Sequence, residues 1–336
     1  MKLASLKEGG RDGTLVVVDR ELTRAVRVTE IARTLLAALE DWNNTAPRLN
    51  RAYELLRDAA KAQTINGEDV FALDVTALAA PLPRAWEFVD GSAYLPHVER
   101  VRRARGAEVP ASFYTDPLMY QATSAGFLGP RDPVLVTSED YGIDMEAEVV
   151  VVTDDVPMAV TSAQAAGHIQ LIGLVNDVSL RNLIPGELAK GFGFLQSKPR
   201  SALSPVFVTP DELGAAWKDN KVHLPMRTWI NGRWFGEADC GVDMQFDFAQ
   251  LVAHAAKTRP LSAGTLVGSG TIANQDTAKG ASCLAEQRTV ETLRDGKPST
   301  PFLKFGDALR IEITDAGGRS IFGAIEQTIA QAGPPG

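Results

Sequence analysis

The chain has 336 residues, enough for two domains or one large domain with an appendage, and its 45% apolar and 23% charged residues describe an ordinary globular protein. A net charge of −8 argues against nucleic acid as the main partner, because phosphate binding needs a basic field. Two cysteines are too few for a disulfide framework or a zinc cluster, and no apolar run nears the ~20 residues of a membrane helix. With a short, charged start, these features lead us to expect a cytoplasmic protein that does not engage membranes.

The first eighty residues read as a small α/β module. After turn signals at 9–13, Leu15 to Val18 form a short buried strand. The spacing of Ile31, Leu35, Leu36 and Leu39 predicts a helix over 30–42, and Tyr53, Leu55 and Leu56 a second over 49–62. Pro81-Leu82-Pro83 punctuates the chain, which places a module at 1–82 and a larger domain at 83–332. Beyond it we expect strands near 134–136, 147–152, 205–208, 226–231, 266–268 and 309–314, and helices near 93–105, 161–171 and 245–257. Strands outnumber helices without alternating with them, so the fold class expected is α+β, rich in β and largely antiparallel. Residues 332–336 read as a frayed tail.

Glu146 and Glu148 stand one residue apart at the mouth of the apolar run Val149 to Val152. In a strand both point to one face, and Val150 and Val152 continue it. Two carboxylates near a core repel by about 4 kcal/mol at 4 Å and an effective dielectric of 20, which a divalent cation would offset. The plainer alternative is a strand whose polar face looks at water. Asp177 sits between apolar neighbours, where aspartate needs a partner. It reads either as a metal ligand or as the N-cap of a following helix. Oxygen ligands of this kind suit Mg²⁺, Mn²⁺ or Ca²⁺ rather than zinc.

His97, seven residues after Asp90 and just before a basic stretch, is a candidate general base or a surface residue in the first turn of a helix. His168 and His254 read as core or cap residues, and His223 as exposed. Lys198 follows the glycine-rich run 191–197 and could neutralise a carboxylate or enolate, or stand solvated in a loop. Arg181 would share a face with Asp177 if that segment were helical, as a salt-bridge partner or a fork for a substrate carboxylate. Gly268-Ser269-Gly270-Thr271 could present amides and a hydroxyl to an oxyanion, or form a plain turn.

In order along the chain, Asp144-Met145-Glu146-Ala147-Glu148, Asn176-Asp177-Val178-Ser179-Leu180-Arg181, Lys198 with Ser204-Pro205 behind it, and Gly268-Ser269-Gly270-Thr271-Ile272 resemble the fumarylacetoacetate hydrolase family over about 250 residues. The resemblance implies a mixed β-roll fold, a divalent metal (Mg²⁺ foremost), usually a homodimer, and cleavage or rearrangement of β-diketo or 2-oxo acids. By matching position, Glu146, Glu148 and Asp177 correspond to the family's carboxylate ligands, and Asp90 to the fourth. His97 corresponds to the catalytic histidine, with Glu286 or Glu99 as its assisting glutamate. Tyr120, Arg181 and Lys198 match substrate-contacting positions, with Lys198 also stabilising an enolate, and Thr271 matches the threonine after Ser-Gly. Ile184 stands where longer members carry a glutamine. The activity implied is metal-dependent hydrolysis of a C–C bond in a small dicarboxylate or β-diketo acid such as fumarylacetoacetate or fumarylpyruvate. Oxaloacetate decarboxylation and dehydration of a 2-oxo-3-deoxy sugar acid remain open on the same metal-enolate chemistry, and so does a non-catalytic, metal-binding ligand sensor. The segment around His97 is expected to act as a lid.

Overall fold

Strand Ala147–Thr153 is apolar on both faces because both faces are covered. Val149 and Val151 enter one core, Val150 and Val152 the other, and all four are fully buried. In this computed structural model, which describes residues 1–58, 63–104 and 106–333, the strand lies deep in a twelve-stranded sheet. It pairs antiparallel with Ile169–Asn176 on one side and with Leu266–Gly268 on the other. Leu266–Gly268 runs parallel to Phe88–Gly91, which pairs antiparallel with Met119–Ala122 at the sheet edge. A second, five-stranded sheet contains Arg233–Asp239, Pro225–Ile230, Ala308–Glu312, Ile325–Gln331 and Val134–Val136. All but two of the strand pairings are antiparallel, and the architecture is the expected mixed α+β one rich in β.

The N-terminal module docks by sheet continuation. Lys2–Leu6 pairs with Phe207–Val208, so the strands Thr14–Val18, Arg24–Arg27, Glu68–Ala72 and Thr64–Ile65 extend the large sheet. Helices Leu35–Glu40 and Trp42–Asp58 lie over this end, and Leu35, Leu39, Trp42 and Leu49 share one core with Val150 and Val152.

Several elements differ from the sequence expectation. The first helix starts only at Leu35, where the Thr34 hydroxyl accepts the Ala37 N–H as an N-cap. The second starts at Trp42 rather than 49, and its expected end at 59–62 lies outside the described residues. The segment 161–171 is a short helix, Ser162–Ala165, and one 3₁₀ turn, after which Ile169 begins a strand. The apolar run from 169 to 175 satisfies helix and strand patterns alike, and pairing with Ala147–Thr153 decides it. The remaining expected elements occur with ends shifted by up to three residues, among them Leu95–Ala104 and Phe248–Ala255. Residue 105 and the tail residues 334–336 lie outside the described set.

Candidate active site

The acids arrive at one place because of strand register. Asp90 stands opposite Tyr120 on one neighbour and Gly268 on the other, while Glu148 stands opposite Val175, two residues before Asp177. The close approach requires glycine: a Cβ at residue 268 would lie 2.2 Å from Asp90 Oδ1, and Gly270 has φ +76°. Asp90, Glu148 and Asp177 each offer a carboxylate oxygen within 4.8 Å of the others, and all three are buried. Asp90 Oδ1 accepts the Gly270 N–H (3.1 Å). Asp177 accepts from Ser201 Oγ (2.8 Å), Lys198 Nζ (2.6 Å) and the Tyr120 hydroxyl. Glu148 has no exposure, and neither of its oxygens finds a hydrogen-bond partner among the described residues.

Glu146 sits beside this group but is engaged elsewhere. Its oxygens take Lys198 Nζ (2.6 Å), Ser179 Oγ (2.9 Å) and Thr271 Oγ1 (2.7 Å), and it pairs with Arg181 Nη2 at 2.8 Å. The electrostatics divide accordingly. Burial, reinforced by Asp177, pushes Asp90 up to about 8; burial with Asp90 and Asp177 pushes Glu148 well above the ordinary carboxylate range. Burial acts on Glu146 too, but Arg181 and Lys198 outweigh it and hold that carboxyl well below its usual value. Lys198 is raised in turn, since Asp177 and Glu146 overcome its own burial.

The candidate base, His97, lines the same cavity as Glu146 and Glu148, of about 170 Å³. His97, on helix Leu95–Ala104, places Nδ1 2.6 Å from Glu286 Oε2 on helix Leu284–Asp295. Arg100, one turn on, donates to Glu286 Oε1 (2.5 Å), and also to the Asn274 and Gln275 carbonyls. Burial opposes ionisation of Glu286, but His97 and Arg100 prevail and lower it. Of the two candidate glutamates, Glu286 is the one in contact with His97; Glu99 is spent on the Tyr114 hydroxyl and Gln275.

Of the ten singled-out residues, Asp90, His97, Tyr120, Glu146, Glu148, Arg181, Lys198 and Thr271 line the cavity, while Asp177 and Glu286 stand directly behind the wall. Two local readings are corrected. No helix follows Asp177, because Ser179–Leu180 pairs as a strand with Ile143–Asp144, so Asp177 is not an N-cap. For the same reason Arg181 turns to Asp144 and Glu146 rather than to Asp177. The sequence reading assigned no role to Tyr94 and Phe194, which also line the cavity, or to Asp144, Arg100, Ser179 and Ser201. Phe194 meets the Tyr120 ring edge-on at 4.9 Å, and Ile184 lies on the same wall. Asp144 was visible in the acidic motif; the others carry no signal before the fold is known.

A buried carboxylate group faces a histidine–glutamate pair across a small cavity on a mixed β-rich fold, an arrangement that could hold a divalent ion beside a proton-accepting group. The chain belongs to the fumarylacetoacetate hydrolase family: the family model for the fumarylacetoacetate (FAA) hydrolase C-terminal region matches residues 87–330, and that for fumarylacetoacetase N-terminal domain 2 matches 1–84. Members of this family include hydrolases, isomerases and tautomerases. One curated relative is a 2,4-didehydro-3-deoxy-L-rhamnonate hydrolase of Sphingomonas sp. (strain SKA58), 27% identical over 206 residues, which are 60% of this chain and 63% of that protein. Another is the mitochondrial oxaloacetate tautomerase fahd2 of Xenopus laevis, 26% identical over 206 residues, 60% of this chain and 56% of its own. The match thus spans less than two thirds of either relative. Among solved structures, maleylpyruvate hydrolase from Sphingobium sp. SYK-6, in complex with manganese(II) and pyruvate, superposes with a TM-score of 0.65 over 99% of this chain and 100% of that one, at 15% identity. That likeness bears on the fold.

Proposed function

We propose that this chain is a divalent-metal-dependent hydrolase that cleaves a C–C bond in a small β-diketo acid, such as fumarylacetoacetate or an acylpyruvate. The observation that carries the reading is Glu148, a fully buried carboxylate whose oxygens find no hydrogen-bond partner by geometry among the described residues, set against Asp90 and Asp177. Buried charge of one sign needs a counter-charge; Arg181 pairs with Asp144 and Glu146, and Lys198 bridges Glu146 and Asp177, so among the described residues no cation of the chain pairs with Asp90 or Glu148. Asp90, Glu148 and Asp177 would hold the ion, with Glu146 at its flank as the fourth carboxylate. An all-oxygen set favours Mg²⁺, with Mn²⁺ or Ca²⁺ as substitutes. When bound, the ion supplies Lewis acidity and a template for two adjacent substrate oxygens. The manganese and pyruvate held by the Sphingobium hydrolase are consistent with this assignment.

The chain's own groups supply the rest. Glu286, fixed by Arg100, keeps the His97 proton on Nδ1, which leaves Nε2 to take a proton from water as its oxygen attacks a carbonyl carbon. As the C–C bond breaks, its electron pair stays on the leaving fragment as an enolate, and Lys198 is already in place to stabilise that charge. The imidazolium then returns its proton to the enolate carbon. Arg181, Tyr120 and Thr271 orient the substrate.

A second reading is chemistry without a hydrolytic water, as in tautomerisation or decarboxylation; the Xenopus relative, an oxaloacetate tautomerase, favours keeping the first of these. The test is to strip the protein of metal and restore Mg²⁺ or Mn²⁺ against fumarylacetoacetate, fumarylpyruvate, acetylpyruvate and oxaloacetate, with products identified. Hydrolysis gives two fragments, decarboxylation CO₂, and tautomerisation or dehydration an unchanged carbon count. Activity unaltered by chelation refutes the metal-dependent reading. A homodimer is the assembly we expect, to be checked by the molar mass in solution.

A further inference from the structure

Asp144 opens the acidic motif, yet the reaction above uses only its two glutamates. Its side chain is fully buried and its acceptor capacity is spent on two segments distant in sequence, one carrying the cavity-lining Arg181 and the other opening the helix of Glu286. Oδ1 accepts the Leu284 N–H at 2.7 Å; Oδ2 accepts the Ala285 N–H at 2.9 Å and Arg181 Nε at 2.7 Å. Leu284 and Ala285 open the twelve-residue helix on which the next residue, Glu286, holds His97. A helix start leaves amide donors unpaired and carries positive partial charge, so a carboxylate straddling two of them fixes both the position and the roll of the first turn. On the other side, Asp144 and Glu146 divide one planar guanidinium between them, Nε to the first and Nη2 to the second. Asp144 thus contacts both the guanidinium of Arg181 and the first turn of the helix bearing Glu286.

We propose that Asp144 is a positioning residue that holds the base pair His97–Glu286 and the substrate-facing Arg181 in one fixed relation, so that substrate anchoring and proton abstraction share a common frame. The proposal rests on the function given above. It differs from a merely structural role, which would lower stability and leave the kinetic constants of the folded fraction alone.

The first test is Asp144→Asn, whose amide presents N–H to donors where the carboxylate accepted. We expect kcat/KM to fall about 100-fold, the usual result of misplacing groups by an ångström, with kcat lowered and KM raised together. Mn²⁺ affinity should stay within about threefold, since Asp144 lies outside the metal group. Combined with Glu286→Gln, the two losses should fall well short of multiplying. A folded Asp144→Asn protein whose kcat and KM both stay within about threefold of wild type overturns the proposal, as do losses that multiply. Should this variant not fold, Arg181→Lys keeps the charge but cannot bond both acids as a planar fork. Its Leu284 and Ala285 amides should then exchange with deuterium faster than in the wild type, and unchanged exchange overturns the link. The exchange experiment needs no substrate, so it decides Asp144's role even if the wild type cleaves none of the four acids and the functional reading itself fails.

Discussion

The sharpest perturbation is Glu148→Gln, because neither oxygen of this buried carboxylate finds a hydrogen-bond partner by geometry among the described residues. In the chelated protein, charges 4.8 Å apart repel by about 3.5 kcal/mol at an effective dielectric of 20. Protonation caps the cost: neutralising a carboxyl of ordinary pKa near 4.3 takes about 4 kcal/mol at pH 7. Glutamine removes the charge, and its N–H can donate to Asp90 or Asp177, so we expect the chelated variant to be about 3 kcal/mol more stable than the chelated wild type at pH 7. The pH dependence follows from the direction of the shifts. Asp90 and Glu148 are both raised, so the folded protein binds more protons than the unfolded chain above pH ~4, and stability falls as pH rises through about 8. The stability difference between variant and wild type should therefore be near zero at about pH 4 and widen upward. Urea unfolding at several pH values, with chelator and with Mn²⁺, reads this directly; Mn²⁺ should reverse the order by stabilising the wild type alone. A chelated variant no more stable than wild type at pH 7–8 would refute the buried-charge argument.

Other expectations rest on groups already placed. His97→Gln and Glu286→Gln should each lower kcat by about 10²–10⁴-fold while Mn²⁺ still binds, as steady-state kinetics and metal titration would record. Lys198→Met leaves Glu146 and Asp177 without their shared cation and should cost about 3–5 kcal/mol in urea unfolding, with a loss of activity besides. Glu187 accepts from the Leu195, Gln196 and Ser197 amides and from Ser197 Oγ, and these bonds outweigh burial to hold it at about 2. The stabilisation it gives is present above its ordinary pKa and lost as pH falls toward 2. Glu187→Gln should cost about 1–3 kcal/mol and speed hydrogen exchange across 188–196, the loop that sets Phe194 on Tyr120.

Much of the site was legible because its chemistry is conspicuous in sequence. Acids amid apolar residues, as at Glu148 and Asp177, demand an explanation wherever the chain goes. The family resemblance then put ten residues in order, and the fold brings eight of them around one cavity and the other two behind its lining. What sequence could not supply was the division of labour. Glu146 and Glu148 stand one residue apart and look equivalent, yet Arg181 and Lys198 converge only on the first. That outcome depends on Ser179–Leu180 pairing with Ile143–Asp144, a two-residue strand no periodicity could reveal. The helix of Glu286 was missed for a related reason: its polar residues give little amphipathic signal, and Asp144, far off in sequence, caps it. The N-terminal strands were largely unforeseen, since Lys2–Leu6 earns its burial only by pairing with Phe207–Val208.

Sheet topology also explains why the acids are as strongly perturbed as they are. Glu148 shares its strand face with Val150 and Val152, and that face is sealed by the core that the N-terminal helices complete through Leu35, Leu39 and Leu49. The module therefore has a physical bearing on the site although none of its described residues lines the cavity. By keeping water from the back of the sheet it lowers the local dielectric, which strengthens every charge interaction at the strand's mouth. A carboxylate so placed has only three remedies: a proton, a cation from the chain, or a bound ion. Among the described residues the nearby cations are spent on Asp144, Glu146 and Asp177 rather than on Glu148, and a proton costs free energy at neutral pH, so the balance of charge favours the third.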